Sequence, residues 1–121
     1  MLTTLGPQNR IWFCLRPTSL TRSFDGLSAL VHNHLRSDPT NGDWYVFVNR
    51  RRTMMKILSF DRDGYWIWSK RLELGRFEEL TGDGTKPLTR TGLLALLEGV
   101  DVDVRRRRKR YRKRAGGAAA D

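Results

Sequence analysis

The chain has 121 residues, 39% hydrophobic and 30% charged, and a formal net charge of +10. That is one modest domain plus a tail, with room for a small core but not for a large catalytic scaffold. No apolar run approaches the roughly 20 residues that cross a bilayer, and the stretch from Met1 to Leu5 does not read as a secretory signal. The lone cysteine, Cys14, excludes an internal disulfide and a cysteine-rich metal site, so a reducing, cytoplasmic setting is expected.

Arg10 to Leu15 alternates, with Ile11, Phe13 and Leu15 on one side, and predicts a strand ended by Arg16-Pro17. Thr18, Ser19, Thr21 and Ser23 offer N-caps for the next element. Phe24, Leu27, Leu30, Val31 and Leu35 recur at helical spacing, and this helix should stop before Asp38-Pro39. Asp38 to Gly42 is turn chemistry. Trp44 to Val48 and Met54 to Phe60 predict two strands joined by Asn49 to Thr53. Asp61-Arg62-Asp63-Gly64 is a hairpin loop in which Gly64 is expected to take the positive φ. Tyr65 to Leu72 continues as a strand, with Trp66 and Trp68 on one face under a helix. A short extended piece is expected near Arg76 to Leu80, and Thr81 to Pro87 is expected to be loop. Thr89 then caps a helix carrying Leu93, Leu94, Leu96 and Leu97, which Gly99 terminates. Nine or ten residues are too few for a helix to stand alone, so it must dock on the sheet.

The charge is partitioned. Residues 105–121 hold nine of the 23 Lys and Arg against a single acid, Asp121, whereas residues 1–104 are close to balanced. Arg105, Arg106, Arg107, Arg108, Lys109, Arg110, Arg112, Lys113 and Arg114 repel one another and cannot bury apolar area, so residues 105–121 are expected to be a disordered basic tail. Such a run can neutralise phosphates and release counterions; alternatively it is only a solubilising tail. A second cationic set, Arg50, Arg51, Arg52 and Lys56, comes near Lys70 and Arg71 if the strands pair as a meander. That would gather the charges at one end or edge of the sheet, although a triple arginine on a connection is often plain solvated loop.

Reactive constellations are not evident. Asp61 and Asp63 are explained by turn chemistry, and His32 and His34 point roughly 200° apart on a helix, so they cannot share an ion. No His or Asp near Cys14 in sequence would activate it. A two-metal nuclease needs about three convergent carboxylates, and none is apparent. No metal or cofactor is expected, and catalysis is not.

The order of the motifs resembles a known family. Phe24-Asp25-Gly26-Leu27, Asp38-Pro39, Val46 to Arg52, Lys56-Ile57-Leu58 and Asp61 to Gly64 carry the likeness. So do Lys70 to Glu73 with Gly75 and Phe77, and Leu93 to Asp101. Together they are similar to the small TnpB-type accessory protein of the insertion sequence 66 family of bacterial mobile elements. The likeness runs from about Ile11 to Asp101. Where that family tends to show Asp-Met-Arg, this chain has Ser19-Leu20-Thr21, and Thr53-Met54 replaces a charged pair. The resemblance implies a non-enzymatic accessory role in DNA transposition beside a separate transposase, in the bacterial cytoplasm or at the nucleoid. It brings no catalytic residues with it.

The resulting reading is a single small α+β domain (residues 1–104): an antiparallel sheet of four or five strands with two main helices packed on it. The basic tail (residues 105–121) follows. The expected partners are DNA and a transposase, with no membrane. Two alternatives stay open: a general nucleic-acid-binding module whose binding resides in the tail, and a small metal-dependent nuclease using Asp61 and Asp63.

Overall fold

The structure, a computed structural model, describes residues 8–99. The expected disorder of residues 105–121 therefore lies outside the described residues. In chain order the elements are β1 (Ile11–Cys14), α1 (Phe24–Asn33), β2 (Trp44–Val48), β3 (Met54–Asp61), β4 (Gly64–Arg71), β5 (Thr85–Leu88) and α2 (Arg90–Glu98). The strands form one five-stranded sheet in the order β4-β3-β2-β1-β5, which makes the domain α+β with two helices, as expected. Among the described residues no helix is long and apolar enough to cross a membrane.

Central strand β2 is Trp-Tyr-Val-Phe-Val and is buried throughout, because each sheet face is covered by a different helix. Side chains alternate across a strand. Trp44, Val46 and Val48 therefore join Ile11, Phe13, Met55, Ile57 and Phe77 beneath Leu93 and Leu96 of α2. Tyr45 and Phe47 join Cys14 and Leu58 beneath Leu27 and Val31 of α1. Each such side chain contributes about 1.5–3 kcal/mol of burial, so the two faces together hold the layers. Trp66 and Trp68 pack on the α2 side, with Trp66 edge-on to Trp44 at 5.2 Å between ring centroids and 89° between planes. Neither indole N–H of that pair has an acceptor among the described residues, so ring packing holds it.

Three of the four strand pairings are antiparallel, and β1 and β2 run parallel. That pair departs from the expected antiparallel sheet because α1 carries the chain from one end of the sheet back to the other, which a parallel neighbour requires. The segment Thr81 to Pro87 is also not all loop: Thr85–Leu88 forms β5, opposite Ile11 to Cys14. Pro87 is tolerated there because β5 is an edge strand. Between Arg76 and Leu80 only Arg76 makes an isolated bridge.

Capping follows the sequence at one helix and not at the other. Thr89 Oγ1 accepts from the Gly92 N–H at 2.9 Å and starts α2. Ser23 occupies the N-cap of α1 but makes no side-chain bond there. That helix is capped at His34, whose N–H donates to Leu30 O at 2.9 Å, and the chain then turns away at Arg36 in the left-handed region (φ 56), with Ser37 N–H donating to Val31 O at 3.1 Å. In the β3–β4 turn the left-handed residue is Arg62 (φ 59) rather than Gly64, which pairs with Asp61 as the first residue of β4.

Gly99 closes α2 with φ 79 and ψ 146, a conformation close to the region confined almost entirely to glycine. A Cβ there would lie 2.8 Å from Leu72 Cδ1 and 3.2 Å from Arg76 O. Gly99→Ala is therefore expected to lower stability by about 1–3 kcal/mol, read as a reduced urea midpoint at unchanged m value. An unchanged midpoint would mean that the end of α2 is not held against Leu72 and Arg76.

Candidate nucleic-acid interface

Because β1 and β2 are parallel, their C-terminal ends share one end of the sheet with the start of β3, the end of β4 and the start of β5. The connection Asn49–Thr53 lies at this end and is built around one side chain. Asn49 Oδ1 accepts from the N–H groups of Thr53 (2.9 Å) and Met54 (3.1 Å), and Asn49 Nδ2 donates to Thr53 Oγ1 at 3.2 Å. The Arg52 N–H returns to Asn49 O at 3.0 Å. These bonds satisfy the backbone of the turn from within and leave its tip, Arg50 and Arg51, exposed. Neither arginine has a hydrogen bond or ion pair among the described residues.

Arg52 differs from its two neighbours. It is half-buried, sits in the left-handed region (φ 59), and donates from Nη1 to Phe77 O at 3.3 Å. Its own carbonyl accepts from the Phe77 N–H at 2.7 Å, and Phe77 is fully buried. Arg52 thus ties the segment after β4 to the turn, and part of its donor capacity is used inside the fold.

The remaining cations divide between the two faces. Lys56 lies on the α1 side, where Nζ donates to Arg22 O at 2.9 Å. Lys70 lies on the α2 side and donates to Leu97 O at 2.6 Å, placing a positive charge at the C-terminal end of α2. Each ammonium has three donors, so one carbonyl partner leaves both charges able to act on the surface. Arg71, opposite Met54, makes an exposed pair with Glu73, Nε to Oε2 at 3.2 Å. Surface pairs of this kind contribute little to stability. The sheet end therefore brings Arg50, Arg51, Arg52 and Arg71 together, with Lys56 and Lys70 on its opposite shoulders.

Two members of this surface escaped sequence reasoning. Arg16, exposed at the end of β1, lines a cavity of about 250 Å³ with Arg50, Arg52, Glu78 and Glu79. Arg22 sits beside Lys56 through its carbonyl. Nothing local singles them out, because only the parallel β1–β2 pairing brings them to this end. At the far end Arg10, Arg62 and Arg90 are balanced by Asp43, Asp61 and Asp63. The surplus positive charge of the described residues thus falls at the end bearing Arg50 and Arg51. Gly99, against Leu72 and the Arg76 carbonyl, lies there too. Arg105 follows six residues later, a span of at most about 20 Å. The tail cations from Arg105 to Arg114 are outside the described residues.

The groups considered for chemistry are scattered. Asp61 and Asp63 are exposed in the β3–β4 turn, at the end away from Arg50. Among the described residues no three His, Cys, Asp or Glu side chains come together as a metal site. Cys14 is buried, and that burial pushes its thiol above the ordinary value of 9.0, against smaller opposing effects from hydrogen bonding around Arg16 and Thr18.

A family model described as IS66 Orf2-like protein matches residues 9–107, spanning the whole described fold. The chain belongs to the IS66 Orf2-like family. That places it among the transposition-associated accessory proteins of insertion sequences. The uncharacterized protein y4hO of Sinorhizobium fredii is 29% identical over 97 residues, covering 79% of this chain and 84% of that protein. The uncharacterized protein y4jC of the same organism is 35% identical over 75 residues, covering 60% of this chain and 64% of that one. No solved structure matches significantly.

A raised folded pKa means that the Cys14 contribution to stability is intact below the ordinary value of 9.0 and is lost as pH climbs through the folded value. Tyr45, also raised chiefly by burial, acts in the same direction. Urea midpoints should fall as pH rises above about 9, and a thiol reagent at neutral pH should label the native protein far more slowly than the unfolded one. Rapid native labelling would contradict the buried position of Cys14.

Proposed function

We propose that this IS66 Orf2-like chain is a non-enzymatic accessory protein that contacts DNA, the transposase of its element, or both, through the cationic sheet end and the basic tail. The observation that carries this reading is the self-satisfied Asn49 turn. It presents Arg50 and Arg51 to solvent where the folded body's surplus positive charge collects. Guanidinium groups match phosphate geometry with two parallel donors, and an exposed arginine pair on a short turn can follow a backbone groove. Arg105 follows Gly99 by only six residues in sequence, so a tail contact would begin within about 20 Å of the same sheet end. Proximity matters here, because a tether a few residues long holds the second contact at high effective concentration.

The density of the tail favours a second reading, a general nucleic-acid-binding module in which residues 105–121 supply all affinity and the domain is only an anchor. Truncation after residue 104, combined with reversal at the turn, separates the two. Arg52 should be left alone, because it holds the Phe77 carbonyl. Fluorescence anisotropy against duplex DNA should show log K falling with log salt by roughly 0.9 per phosphate contact. Arg50→Glu with Arg51→Glu should weaken binding and flatten that slope even in the truncated protein, which should still co-purify with the transposase. If the truncated protein binds equally with and without the reversal, and retains no transposase, the tail-only reading replaces ours.

A further inference from the structure

The two edges of the sheet are treated differently. Edge strand β5 is four residues long and carries Lys86 and Pro87, devices that blunt an edge against further pairing. Edge strand β4 is eight residues long, contains no proline, and pairs with β3 without a bulge from Asp61–Gly64 to Met54–Arg71. Leu72 N–H donates to Thr53 O at 2.8 Å. Antiparallel ladders alternate, so the even-numbered residues of β4 face β3. The N–H and C=O groups of Tyr65, Ile67, Ser69 and Arg71 then face outward. Among the described residues nothing pairs with this long, half-buried, aromatic edge, which makes it a template for another strand.

We infer that the edge of β4 pairs antiparallel with β4 of a second copy of this chain, in register about Ile67. Charge complementarity selects this occupant. The ladder starts at the acidic Asp61 to Gly64 turn and ends at Lys70 and Arg71, so an antiparallel copy sets each cationic end beside an acidic turn. Alternation narrows the register. Full eight-residue overlap would set outward-facing groups against inward-facing ones. Of the two seven-residue registers that respect the alternation, one opposes Asp63 to Glu73, which repel. The other opposes Asp63 to Arg71 and centres Ile67 on Ile67. Arg71 is available for this exchange, since its present partner Glu73 is an exposed one. The contact is isologous, closes by a two-fold axis and needs no third component. That axis turns the two cationic sheet ends in opposite directions, so one dimer could engage two polyanions; this clause alone rests on the function proposed above.

Sedimentation equilibrium of the full chain tests the pairing without any DNA. The wild type should be in monomer–dimer exchange. Ser69→Pro should give a monomer with an unchanged circular-dichroism spectrum, because Ser69 is exposed and its N–H faces away from β3. Arg71→Asp should raise the dimer dissociation constant roughly tenfold, since two attractive cross-strand pairs become repulsive. Adding Asp63→Arg to Arg71→Asp should restore the wild-type value. The inference is overturned if the wild type stays monomeric into the high micromolar range, or if a folded Ser69→Pro protein still dimerises. It is equally overturned if the charge exchange fails to restore association, and that arm decides the question should Ser69→Pro not fold.

Discussion

Strand β2 is buried on both faces, and that constraint sets where everything else can be. Five consecutive apolar residues are stable as a strand only when each face meets a separate apolar layer. One layer comes from α1 and the other from α2. The α1 crossover forces β1 to lie parallel to β2, so their C-terminal ends emerge together. The turn after β2 must then leave the core at that same end, and its first buried residue on return is Met55. The basic surface is a consequence of how the core is layered, and the arginines occupy the place where the central strand reaches water.

The same layering divides the cations by task. Arg52 and Lys70 are partly absorbed by backbone carbonyls of Phe77 and Leu97, and so knit the segment after β4 and the end of α2 to the sheet. Arg50 and Arg51 carry no such duty among the described residues. A close neighbour in sequence can therefore be structural or outward-facing depending on whether Asn49 or a distant carbonyl satisfies its part of the turn. This distinction matters for any charge-reversal study, in which loss of binding and loss of fold must be kept apart.

Much of the architecture was legible in the residues. Alternation located β1 and β4, apolar strand-like runs between turns located β2 and β3, the Leu27–Val31 stripe located α1, and Thr89 with Gly99 bracketed α2. What was not legible is what alternation cannot encode. Periodicity two says that a segment is a strand and is silent on its neighbour's direction, so the parallel pair and the resulting place of Arg16 and Arg22 were out of reach. Strand β5 was hidden because Pro87 and the glycines beside it carry loop chemistry, which an edge position tolerates. The left-handed residue of the β3–β4 turn was misassigned because glycine is the usual occupant, whereas here Arg62 takes it and Gly64 joins the ladder. For the cationic set, sequence spacing left one end or one edge of the sheet open and did not show the opposite shoulders taken by Lys56 and Lys70.

Polyanion contact is proposed to fall on the sheet end bearing Arg50 and Arg51. The most direct measurement is a backbone amide NMR titration of the full chain with a short duplex at moderate salt. Shifts should concentrate in Asn49 to Thr53, around Arg16, and around Arg71 to Arg76. Shifts confined to residues after 104, or centred on the Asp38 to Asp43 and Asp61 to Gly64 end, would contradict it.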